Sequence, residues 1–142
     1  MIVPDVNLLV HAYNTQSAVH GAARQWWEDL LNGPDAVGLA WGVALGFLRL
    51  TTHRQVLERP LGVDVACRHV GSWLNRPSVS VLSPGPRHAE LLFGLLGGLG
   101  TAGNLTTDAH LAALAIEYQA ELHSTDADFH RFPGLRWTNP LA

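Results

Sequence analysis

Apolar positions along the chain fall into short runs separated by longer stretches with helical spacing. Ile2-Val3-Pro4 is a short apolar run ending at Asp5. Pro4 limits it, but its place at the terminus allows a strand. Asp5 is then positioned to cap a helix through Asn7 to Tyr13. From Ala18 to Leu31 the spacing is helical: Ala22, Trp26 and Leu30 lie on one stripe, with Ala23, Trp27 and Leu31 beside it. Gly33-Pro34 stops this helix. Ala36 to Ala40 reads as a second buried strand, and Trp41 to Thr52 as a helix with Leu45, Leu48 and Thr52 in phase. Arg54 to Gly62, with Pro60, reads as loop or short turns.

Val63 to Leu74 predicts a further helix, ended by Asn75-Arg76-Pro77. Val79 to Leu82 alternates like a strand. Arg87 to Leu99 is helical, with Leu91, Leu92, Leu95, Leu96 and Leu99 expected to face inward, and a glycine-rich loop runs from Gly97 to Asn104. Thr107 to Tyr118 is apolar on several faces, which predicts a central helix. Glu121 to Ser124 is a short strand candidate, and Leu135 to Trp137 a last edge strand. Strands alternating with helices predict an α/β sandwich with a mainly parallel sheet. No repeat or linker breaks the pattern, so one domain over 1–142 is the simplest expectation.

Composition narrows the chemistry. Apolar residues make up 47% of the 142 residues and charged residues 15%, which favours a large core over disorder. One cysteine, Cys67, excludes an internal disulfide and a multi-cysteine metal site. All nine basic residues are arginine. Without lysine there is no Walker-type P-loop lysine, no pyridoxal Schiff base and no kinase strand lysine. No basic start or apolar run of spanning length is present, so the expected setting is the cytoplasm, with no membrane contact. The net charge of −3 argues against non-specific nucleic-acid binding but leaves room for a nuclease whose acidic site is neutralised by metal.

Four of the seven aspartates fall where open α/β sheets build sites, beyond the carboxyl ends of strands. Asp5 follows the first strand, Asp126 and Asp128 follow the Glu121–Ser124 strand, and Asp108 opens the central apolar helix. Taken singly, each also fits as a helix cap. Capping does not need several carboxylates on one edge. If they converge, repulsion calls for protonation or a divalent cation, and oxygen-only ligands suit Mg²⁺ or Mn²⁺. Those metals serve phosphoryl chemistry by activating water.

Asp5-Val6-Asn7-Leu8-Leu9, Asn104-Leu105-Thr106-Thr107-Asp108-Ala109-His110 and Ser124-Thr125-Asp126-Ala127-Asp128-Phe129, in this order and spacing, resemble PIN-domain ribonucleases, in particular the VapC-type toxins of bacterial toxin–antitoxin systems. The resemblance spans essentially the whole chain. It implies a three-layer α/β/α sandwich and an endoribonuclease that uses Mg²⁺ or Mn²⁺. It implies catalytic acids at Asp5, Asp108 and Asp126, with Asp128 as an accessory metal ligand and Asn7 and Thr125 as polar residues orienting ligands or water. A small antitoxin and a homodimer are the implied partners, with Ala18–Leu31 and Trp41–Thr52 as contact surfaces. One departure stands out: the family commonly carries a glutamate where Gly46 falls in this chain. Glu90 is a possible substitute, and a catalytically weakened RNA-binding or regulatory relative is the alternative reading.

Cationic groups are expected to flank an RNA site. Arg49, Arg54 and Arg59 are the candidates, with Trp41 as a stacking surface. As alternatives, Arg49 pairs with a carboxylate and the loop arginines are merely solvated. Gly98-Leu99-Gly100-Thr101-Ala102-Gly103 matches a dinucleotide fingerprint in letters, but it follows a helix rather than a strand. The eight histidines form no metal-binding spacing, and His110, near Asp108, is a candidate for approaching RNA.

Overall fold

Runs of three or four residues become the strands, and the helical stretches cross between them. The computed structural model describes residues 1–142. Strands β1 (Ile2–Pro4), β2 (Val37–Ala40), β3 (Val79–Leu82), β4 (Glu121–His123) and β5 (Arg136–Thr138) form one sheet in the order β3-β2-β1-β4-β5. Every neighbouring pair is parallel. The helices are α1 (Val6–Tyr13), α2 (His20–Asn32), α3 (Trp41–Thr51), α4 (Val63–Leu74), α5 (His88–Leu99) and α6 (Thr106–Glu117).

The layering follows from handedness. Both crossovers β1→β2 and β2→β3 step the same way along the sheet, so right-handed connections put α1 to α4 on one face. The return from β3 to β4 steps the other way and puts α5 and α6 on the opposite face. The result is an α/β/α sandwich, as expected.

A cluster of 27 buried residues from strands and both helical layers forms the core. On the first face it is aromatic. Trp73 of α4 meets Trp27 of α2 edge-on at 5.4 Å and Phe47 of α3 at 4.8 Å. Its indole N–H donates to the Tyr13 hydroxyl of α1 at 3.1 Å, so one side chain ties four helices together. On the second face α6 is buried from Ala109 through Ala115, apart from the half-buried His110, matching its all-round apolar sequence.

Several expectations shift. β3 does not alternate: Val81 is exposed and Leu82 buried, because β3 is an edge strand with one paired side. Of the α5 leucines only Leu95 is buried, and the others are partly covered, because the helix leans on the core mainly through α6. The glycine loop starts later than its composition suggests. Gly97 and Gly98 are helical, and the helix ends at Gly100, whose φ of +73° is left-handed and suits glycine. No helix is long and apolar enough to cross a membrane.

Trp73→Ala is expected to lower unfolding free energy by about 3–5 kcal/mol in denaturant titration, whereas Trp73→Phe keeps the ring contacts and loses less.

Candidate active site

Pairing of β1 with β4 sets Pro4 opposite His123. Asp5 and Ser124 therefore leave the carboxyl edge side by side, and the Asp5 amide donates to the His123 carbonyl at 2.9 Å. The strand order reverses between β1 and β4, and open α/β sheets bind ligands at that switch point.

Ser124 is fully buried and is the hub of this edge. Its hydroxyl donates to Asp5 Oδ2 at 2.7 Å. Its oxygen accepts from Asn7 Nδ2 at 3.3 Å and from the Asp126 amide at 3.0 Å. Asp5 Oδ1 accepts the Val6 amide at 2.8 Å, the capping bond at the start of α1. Asp126 Oδ1 accepts the Asp128 amide at 2.9 Å and opens a short 3-10 segment over Ala127–Arg131, anchored by buried Phe129. Asp5 and Asp126 are thus both caps, as the local reading allows.

Asp108 differs. It lies in the first turn of α6, where no side chain caps the helix. Desolvation, followed by the charges of Asp5, Asp126 and Asp128, pushes its pKa up to about 6. Burial also raises the Asp5 pKa, with a smaller push from Asp126, while the bonds from Ser124 and Val6 oppose the rise. The ion pairs of the molecule involve none of these four aspartates, so no arginine offsets their charge.

The structure thus brings Asp5, Asp108, Asp126 and Asp128 into one electrostatic cluster. It does not close them into a coordination cage: no three His, Cys, Asp or Glu side chains are gathered as a metal site. Asp5 accepts one hydrogen bond at each carboxylate oxygen and Asp126 one at Oδ1, which leaves further lone pairs on all of them. The donor chemistry still fits a hard divalent cation. All four groups are oxygen donors, and Asn7 Oδ1 is buried with no hydrogen-bond partner.

Other expected residues fall as follows. Thr125 makes no side-chain hydrogen bond in the cluster; the organising hydroxyl belongs to its neighbour Ser124, because the inward position at the strand end is 124. A Cβ on Gly46 would meet Val6 Cγ2 at 3.1 Å, so position 46 does lie beside Asp5's neighbour, and the valine fills the space. Glu90 lines a separate groove with Leu91, Gly94 and Arg131 and joins none of the aspartates. His110 turns away from the cluster, to Nδ1···Nε2 contact with His88 at 2.9 Å between α5 and α6. Arg49 and Arg54 are exposed and do not enter the electrostatics of Asp5 or Asp108.

Residues 2–135 match the family model of the PIN domain. The chain belongs to the PIN-domain family. Among its relatives is Ribonuclease VapC33 of Mycobacterium tuberculosis, 49% identical over 141 residues and covering 99% of each chain. Ribonuclease VapC37 of the same organism is 44% identical over 142 residues, covering 100% of this chain and 99% of the relative. In structure, this PIN domain is similar to VapBC2 from Rickettsia felis bound to a promoter DNA fragment, with a TM-score of 0.70, 17% identity and 98% of both chains covered. It is also similar to Mycobacterium tuberculosis VapC20, a Sarcin-Ricin loop cleaving toxin, with a TM-score of 0.66, 19% identity, 96% of this chain and 99% of the other. At such identities the structural likeness speaks for the fold alone.

Two outcomes follow for this PIN domain. Ser124→Ala removes a charge-assisted bond to buried Asp5 and unpartners the Asp126 amide; it is expected to cost about 2 kcal/mol in denaturant titration. Asp108 has a folded pKa above its unfolded value, so its contribution to stability is present at low pH and lost as pH rises through about 6. Asp108→Asn is therefore expected to raise the melting temperature at neutral pH, by the equivalent of about 1 kcal/mol once solvent screening is discounted, and to leave it unchanged near pH 4.

Proposed function

We propose that this chain, acting as one PIN domain over 1–142, is a metal-dependent endoribonuclease and the toxin of a toxin–antitoxin pair. The observation that carries the reading is Asp108: a half-buried carboxylate with no capping role, facing three other carboxylates at the switch point of the sheet. A fold holds such a group against its own stability where charge from outside is to be bound. The names of the relatives over the full chain length support ribonuclease chemistry.

Asp5, Asp108 and Asp126, with Asp128 beside them, are the residues that would hold Mg²⁺ or Mn²⁺. Such an ion, when bound, neutralises phosphate charge and makes water a better nucleophile. The chain's own residues set the frame. Ser124 fixes the Asp5 carboxylate from one side and the Val6 amide fixes it from the other. Asn7 is steered by the same hydroxyl, leaving its buried Oδ1 free to accept a hydrogen bond from a water or ligand. Asp108 carries a proton below about pH 6 and releases it above, so cations and protons compete for it.

An antitoxin is the proposed protein partner, with a homodimer as the proposed assembly and the cytoplasm as the setting. A groove of about 360 Å³ lined by Tyr13, Thr15, His20, Trp27, Leu61 and His69, where α1, α2 and α4 meet, is the proposed seat of the antitoxin. A weakened RNA-binding relative is the second reading, favoured by the Gly46–Val6 contact that occupies the place of the usual glutamate.

Asp5→Asn and Asp108→Asn are each expected to reduce cleavage of total RNA with Mg²⁺ to background, as EDTA does for the unaltered protein. Undiminished cleavage in EDTA would remove the metal-dependent reading; RNA binding without any cleavage would favour the weakened relative. Thermal stabilisation by Mg²⁺ is expected to be larger at about pH 7.5 than at about pH 5.5, because protonated Asp108 competes with the ion.

A further inference from the structure

We propose that the exposed face of α3 carrying Trp41, Leu45 and Arg49, with the arginine loop after it, is the track by which single-stranded RNA reaches the aspartates. In this arrangement Trp41 stacks a base next to the cleaved phosphate. The inference rests on the ribonuclease reading above and assigns it a substrate-binding surface.

Position comes first. Parallel pairing of Ile2 with Val37 sets Asp5 level with Ala40 on the next strand, a spacing of about 4.8 Å between strands. Trp41 is the next residue, so α3 starts at the rim where Asp5 sits. Farther along, Gly46 lies against Val6, which keeps the helix beside the cluster.

The face itself is unusual. Trp41, Leu45 and Arg49 are four residues apart and so form one stripe. Val43, Ala44, Phe47 and Thr51 bury the opposite side. Trp41 is 50% exposed and Leu45 58%. An indole half in water beside a binding edge is apolar surface awaiting a flat partner.

Charge decides the partner. From Trp41 to Gly62 there are three arginines and one acid; in the rest of the chain six arginines face eleven acids. None of Arg49, Arg54 and Arg59 is in an ion pair. This segment is the cationic stretch of an otherwise acidic protein, and it runs into the aspartates by way of an exposed tryptophan. A run of cations that ends at an exposed aromatic suits single strands, whose phosphates follow the charge and whose bases stack.

The test measures binding of a short fluorescein-labelled oligoribonucleotide of mixed sequence by anisotropy in EDTA, and cleavage of the same RNA with Mg²⁺. Trp41→Ala is expected to weaken binding about tenfold and raise KM while kcat changes little, and Trp41→Phe to retain most of the affinity. Arg49→Gln and Arg54→Gln are each expected to lower the slope of log affinity against log salt by about 0.7. Phe93→Ala, a change on the exposed face of α5, is expected to alter neither. Wild-type affinity in Trp41→Ala overturns the track while cleavage by the unaltered protein leaves the ribonuclease reading intact. So does a shift from dimer to monomer in sedimentation of Trp41→Ala with unchanged RNA affinity, which would give the face to a second copy. If the unaltered protein neither binds nor cleaves the RNA, both readings fall.

Discussion

Everything at the carboxyl edge depends on the bond between Ser124 and Asp5. The two residues are far apart in the chain and meet only because β1 and β4 are parallel neighbours with Pro4 opposite His123. At that point a fully buried hydroxyl donates to a carboxylate that is itself only 7% exposed. The same oxygen receives Asn7 and the Asp126 backbone, so one serine fixes the ends of both strands and the turn that carries Asp126 and Asp128. A buried carboxylate is costly unless its oxygens are satisfied, and here both are.

The arrangement divides the four aspartates by function in the fold. Asp5 and Asp126 terminate elements and are locked by backbone amides. Asp128 supplies the amide that Asp126 accepts, and adds charge. Asp108 contributes nothing to capping and bears the repulsion of the rest. The sheet therefore concentrates negative charge at its switch point with one member held uncomfortably. That member is the one whose state a divalent cation or a proton changes most.

Much of this was legible in the sequence. Strand and helix positions followed the apolar spacing to within a residue or two, and the alternation gave the parallel α/β class. Four acids could be picked out because each follows a strand or opens an apolar helix. Ser124 was hidden because a serine at a strand end has no distinctive spacing; its neighbour Thr125 looked equally suitable, and only the inward parity of β4 separates them. The partial burial of the α5 leucines and the exposure of Val81 were hidden for a related reason, since periodicity does not show whether a neighbour covers a face. Likewise, Gly46 marked a missing acid in the sequence, whereas the contact with Val6 that fills its place is a tertiary fact.

The most direct test is a carbon-detected NMR titration of the Asp108 carboxyl, without metal and with saturating Mg²⁺. The account predicts a midpoint near 6 without metal, falling in the Asp126→Asn variant and falling below the ordinary carboxylate range with Mg²⁺. An Asp108 midpoint near the ordinary value that neither Asp126→Asn nor Mg²⁺ moves would contradict it.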